Sequence, residues 1–235
     1  MFLQILLLIH AVSADPASPF EIDGNRLREG RACYDILLND EKIGTTVQTI
    51  EAVEHGLAPA WKITIHQAVP ARSFEMRDEF LVDRDSLLPI SLVSQQGEDR
   101  NAQGWQLVSV MYEDDRIAGT RETRGGVLPI DVRTSAPVWD GNLWGPLFAS
   151  LPLEAGADFT IPIWQYDNGF GEFRVEVSGS GPYSTYDGTE PSWFVEAGTS
   201  PERRSRYVFS QASFLELSSG AGPLRQELSQ SCASL

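Results

Sequence analysis

The chain has 235 residues, with 18 Lys and Arg against 33 Asp and Glu and a formal net charge of −15. That length suits one domain with room for a real core, two small domains being the alternative. Such acidity repels phosphate backbones and anionic membrane surfaces, which argues against nucleic acid as a partner.

Met1–Ala14 (MFLQILLLIHAVSA) is a short apolar run ending in small residues. Val12 and Ala14 fit the small-residue positions of a signal-peptidase site, so residues 1–14 read as a signal peptide with cleavage expected before Asp15. The run lacks the usual Lys or Arg at its start, and no Cys follows it to carry a lipid. It is too short to span a bilayer, which takes about 20 apolar residues. No second run of that length follows, so the mature chain is expected to be soluble, with no transmembrane segment, and periplasmic or secreted.

Residues 15–29 are a polar lead-in containing Pro and Gly, expected to be extended. Strand signals then follow one another. Cys33–Leu38, a connection Asn39–Lys42 and an alternating run Ile43–Val53 predict a hairpin with a four-residue link. Trp61, Ile63 and Ile65 alternate with polar residues, the period of a half-buried strand. Phe74, Met76, Phe80 and Val82 mark another, and Leu87–Gln95 continues, with Pro89 suggesting an edge or bend. Trp105–Tyr112 and Ile117–Thr123, linked by Glu113–Arg116, predict a second hairpin, and Val127–Val132 is strand-like. Thr134–Pro152 breaks the rhythm. Asp140 is placed to N-cap a short helix through Trp144 and Phe148, which Gly145 and Pro146 limit to a turn or two. Strands resume at Phe159–Tyr166, Glu172–Ser178, Ser192–Ala197, Arg204–Phe209 and Phe214–Leu217. Residues 218–235 are small and polar and are expected to form a flexible tail. The expected fold is therefore mainly β: an antiparallel meander over 30–217, forming a β-sandwich or partly open barrel, with one short helix or irregular segment near 140–151.

Two cysteines, Cys33 and Cys232, lie near the ends of the mature chain. In an oxidising compartment they can pair, closing a loop worth at most about 5 kcal/mol in the chain-entropy model. The alternative is a buried strand Cys and a free tail Cys, since sequence does not give the Cα separation.

Motifs for catalysis are missing. His55 and His66 fall in no HxH or HExxH spacing, so no metal site is expected, and both read as surface residues. There is no G-x-S-x-G elbow, no P-loop and no dinucleotide fingerprint, so no cofactor is expected. The acids at Asp83–Asp85, Asp114–Asp115 and Asp167 suit turns, and no pair of carboxylates stands out for hydrolysis. The aromatics are the remaining candidates. Trp139, Trp144 and Phe148 fall in the irregular segment, and Trp164, Tyr166 and Phe170 just beyond it. Such rings either plug the β core or line a site for an apolar or glycan ligand.

The order of segments carries a resemblance. CYDILLNDEKIGTTVQTIEA, DEFLVDRDSLLPISL, VMYEDDRIAG, LWGPLFASLPLEAGADFTIPIW, VEVSGSGPY, WFVEA and RYVFS together resemble a large family of exported bacterial β proteins catalogued as a domain of unknown function. The likeness spans about Gly30–Leu217, its most telling element being Leu151-Pro152-Leu153 followed by Gly156. It implies an exported, mostly antiparallel β protein and transfers no catalytic residue. The chain departs from the pattern at Ser180, where an acidic residue often follows the glycine, which marks a divergent member. Three functions remain in view. The first is a binding protein for a lipid or glycan on a concave, aromatic-lined face. The second is a structural protein of the cell envelope docking a protein partner, and the third a hydrolase using acidic residues.

Overall fold

The structure, a computed structural model, describes residues 21–232. The expected signal peptide, residues 1–14, lies outside the described residues, as do residues 15–20 of the lead-in and 233–235 of the expected tail. Among the described residues no helix is long and apolar enough to cross a membrane.

Among the described residues fifteen strands form one sheet. In chain order they are β1 (Gly30–Leu38), β2 (Glu41–His55), β3 (Ala58–Val69), β4 (Phe74–Asp83), β5 (Pro89–Gln96), β6 (Gln106–Glu113), β7 (Arg116–Thr123), β8 (Gly126–Arg133) and β9 (Trp139–Asp140). A short helix, α1 (Trp144–Ala149), precedes β10 (Asp158–Gln165), β11 (Gly169–Thr185), β12 (Gly188–Gly198), β13 (Arg204–Ser210), β14 (Glu216–Ala221) and β15 (Leu224–Leu228). The chain meanders outward from β1 to β8, crosses to the far edge at β9, and meanders back to β15, which pairs with β1. All neighbours are antiparallel except β9, which runs parallel to β10. The sheet is mainly antiparallel and is not closed into a barrel, since β8 and β9 are its two ends.

The two wings of the sheet share one core. Phe80, Leu92 and Val110 come from the first wing, Ile161, Val175 and Phe209 from the second, and Leu147 and Phe148 of α1 belong to the same cluster. Strand alternation explains it: in β4, Phe80 and Val82 are buried while the residues between them are less so. Each large apolar side chain buried in this way contributes about 1.5–3 kcal/mol.

Four expectations change. The hairpin links are two residues long, not four. Asn39 and Asp40 both take positive φ, 52° and 69°, as a type I′ turn requires and as these residue types tolerate. The lead-in is not simply extended. Asp23 caps a 3-10 turn at Gly24–Arg26 by accepting from the Asn25 N–H at 3.1 Å. Gly24 donates to Asp85 O at 2.7 Å and accepts from Trp61 Nε1 at 3.0 Å, while Ile22 and Leu27 are buried. Asp140 does not cap α1, whose N-cap position is Leu143. Its carboxylate accepts instead from the Asn142 N–H at 2.8 Å. Finally, residues 218–228 are not a loose tail but most of β14 and all of β15. Their inward positions, Ser219 and Gln226, face a polar cavity, so the strands carry no apolar alternation to announce them.

Candidate functional site

Toward one end of the sheet the inward face changes from apolar to polar and back. In β4 the series runs Val82, Phe80, Asp78, Met76, Phe74, and in β3 it runs Ile63, Ile65, Gln67, Val69. The polar positions enclose a chamber of about 130 Å³, with Tyr34, Gln67, Asp78, Glu216 and Gln226 in its wall. Beyond it a wider mouth of about 600 Å³ is lined by Ile36, Ile43, Val69, Phe74 and Leu224. Gln67, Trp144, Tyr207 and Gln226 border both spaces. On the far side Gln48, Gly145 and Glu216 also border a third cavity of about 230 Å³, whose wall includes Arg26, Arg28 and Arg31.

The helix α1 packs against β14. Glu216, the first residue of β14, lies against Gly145 of α1, and any side chain at that glycine would fall on the carboxylate. Gln226 Nε2 donates to Glu216 Oε1 at 2.8 Å, and Thr46 Oγ1 donates to Gln226 Oε1 at 3.1 Å. Burial holds the Glu216 carboxyl above its ordinary range. Tyr34 is 1% exposed and its hydroxyl has no hydrogen-bond partner among the described residues. Burial, and then the charge of Glu216, push that phenol well up.

Asp78 is 4% exposed, and its Oδ1 is likewise without a partner. Burial raises its pKa to about 6, tempered by the hydroxyl of Ser94, its neighbour across the β4–β5 ladder. Asp140 is also buried and also raised to about 6. Burial dominates there, opposed by hydrogen bonds from Tyr112 and Asn142, and the charge of Asp78 adds to the rise. Tyr112 donates to Asp140 Oδ2 at 2.6 Å, joining the two wings. The site thus combines an apolar entrance, aromatic walls and buried acids.

The aromatic candidates are divided. Trp144 borders both mouth and chamber and is 45% exposed, and Tyr166 lines the chamber. Phe148 lies in the core, edge-on to Phe173 and Tyr207 at centroid distances of 5.2 and 5.1 Å. Trp164 is buried edge-on to Tyr112 at 6.0 Å. Trp139 is half-buried and donates from Nε1 to Ser86 O at 2.9 Å. Phe170 is exposed near the β10–β11 turn. Cys33 and Cys232 form a disulfide with a Cα–Cα distance of 5.2 Å. His66 is not a free surface residue: its Nε2 lies 2.7 Å from Glu75 Oε1.

Sequence reasoning missed Tyr34, Asp78 and Glu216. Asp78 carried a usable signal, because it shares the parity of Phe74, Met76, Phe80 and Val82 and so had to face inward. Glu216 had a weaker one, and the chamber role of Tyr34 depends on the β1–β15 pairing, which strand patterns do not report.

A family model described as Protein of unknown function (DUF3108) matches residues 33–217. No curated protein and no solved structure matches the chain.

Proposed function

The chain belongs to the DUF3108 family, whose description assigns no activity, and from that premise we propose that it is an exported, non-catalytic binding protein for an amphipathic ligand. The ligand's apolar part lies in the mouth and its polar head enters the chamber. One observation carries this reading. An apolar entrance leads to a chamber where the buried Tyr34 hydroxyl and Asp78 Oδ1 have no hydrogen-bond partner among the described residues. A buried polar atom left unpaired costs about 1–3 kcal/mol, which a hydrogen-bonding head group would offset. The mouth is also of the size that binds small molecules. Export is supported by the signal-like pattern of residues 1–14 and by the Cys33–Cys232 disulfide, a bond that persists in oxidising compartments.

A hydrolase is the second reading, favoured by the buried carboxyls of Asp78 and Asp140, both held near 6. Native mass spectrometry of protein purified from its own host separates these readings and the envelope-docking alternative. A co-purified lipid or glycolipid is the expected result. A co-purified protein with no small molecule would overturn the proposal in favour of docking, and turnover of an added ester or glycoside, lost in Asp78→Asn, in favour of hydrolysis.

A further inference from the structure

The chamber's charge is one-sided. Asp78 and Glu216 are the acids in its wall, and among the described residues no Lys, Arg or His lines it. Arg26, Arg28 and Arg31 line the third cavity beyond Glu216, and the Arg121 guanidinium lies 5.9 Å from the ring centroid of Tyr166. Arg225 and Arg72 stand at the mouth, and Arg225 is engaged by Asp40 and Glu227. Two ionised acids without a buried counter-charge are an expensive arrangement, relieved by taking up protons or by a cation that joins them. Four aromatic rings complete the wall: Tyr34, Trp144, Tyr166 and Tyr207. Their π-faces favour a positive group over a negative one. Glutamine side chains at 48, 67 and 226 supply carbonyl acceptors for an N–H donor.

We propose that the chamber receives the ammonium head of a cationic amphiphile, with Asp78 and Glu216 as its counter-charges. The inference rests on the binding reading above and adds the chemical class of the head. The alkyl part occupies the space between Ile36, Val69, Phe74 and Leu224. Trp144 lies where head and chain meet, bordering both spaces.

The test is calorimetric titration of the full mature chain with four probes below their aggregation limits: decylammonium, decanol, decanoate and octyl glucoside. Decylammonium is expected to bind at least about tenfold more tightly than decanol, a difference of about 1.4 kcal/mol. Asp78→Asn and Glu216→Gln, both close in shape to the native residues, are each expected to remove most of that preference, read as the ratio of decylammonium to decanol affinity in the same variant. Near-UV circular dichroism checks that the variants keep their packing, and the head-group series on the unaltered chain stands without them. Equal binding of ammonium, alcohol and glucoside heads would overturn ammonium recognition and leave the carrier reading intact. Tightest binding of decanoate or of the glucoside would do the same. Binding of none of the four would overturn both.

Discussion

Asp78 is the acid on an inward face that otherwise reads Phe74, Met76, Phe80 and Val82, and its burial has a consequence for stability. Its pKa rises from 3.8 unfolded to about 6 folded, so the folded state binds the proton more tightly. Stability from this group is therefore full below about pH 4 and is lost as pH rises through about 6, by about 3 kcal/mol in all. Asp140 acts in the same direction over the same window. Thermal melts of the native chain are expected to show a midpoint that falls between about pH 4 and pH 6.5 and levels off above it, and Asp78→Asn is expected to flatten that slope. A rising midpoint over the window would contradict the buried placement. The two tryptophans of the central segment separate along the same line. Trp164→Ala empties a core position and is expected to cost about 3–5 kcal/mol. Trp144→Ala, at the half-exposed border of mouth and chamber, is expected to leave the fold in place and weaken retention of an amphiphile. Chemical denaturation of both variants, with lipid retention measured alongside, checks this. The sequence marked both residues as aromatic and nothing more, because core and cavity walls use the same residue types. Only the register of the strands tells them apart.

Among the elements, the hairpins and α1 followed from alternation, turn residues and helix breakers, all of which act locally. β14 and β15 did not, and the reason is physical. Ser218, Ser219, Gly220 and Gln226 lie on strands beside a polar cavity, so the apolar period that marks β4 or β10 is missing. Their importance comes from pairing: β15 holds β1 through the register Tyr34↔Leu228 to Leu38↔Leu224. The family match stops at residue 217, one residue into the buried part of β14 after Glu216. A chain truncated after Leu217 is thus expected to lose cooperative unfolding, although few of the removed residues are large and apolar. Near-UV circular dichroism and a denaturant titration would show it, and a cooperative transition close to that of the full chain would refute it. The lead-in teaches the same lesson from the other end, since Ile22 and Leu27 are buried and Gly24 is hydrogen-bonded to the β4–β5 connection.

For the molecule as a whole, the seam between β1 and β15 joins the two wings, and the disulfide reinforces it. Ser229 N donates to Cys33 O at 2.7 Å, and Cys232 is bonded to Cys33 across a sequence separation of 199. Removing that link frees the unfolded chain, at a cost of up to about 5 kcal/mol in the chain-entropy model. Melts with and without reductant are expected to differ accordingly, and Cys232→Ser is expected to behave like the reduced protein. The order of strands has one more implication. Each strand of this sheet hydrogen-bonds only to its neighbours in sequence, apart from the pairing of the first strand with the last. The chain is therefore a ring in connectivity that happens to be cut at the seam. Opening it instead between Arg133 and Trp139, and joining the present ends, would give a permuted protein in which each strand pairs with its neighbour in sequence from one edge of the sheet to the other, β9 alone running parallel to its partner. Chains dominated by local contacts fold faster. Stopped-flow refolding should find the permuted chain quicker than the reduced native one, with the same sheet reached by a shorter search.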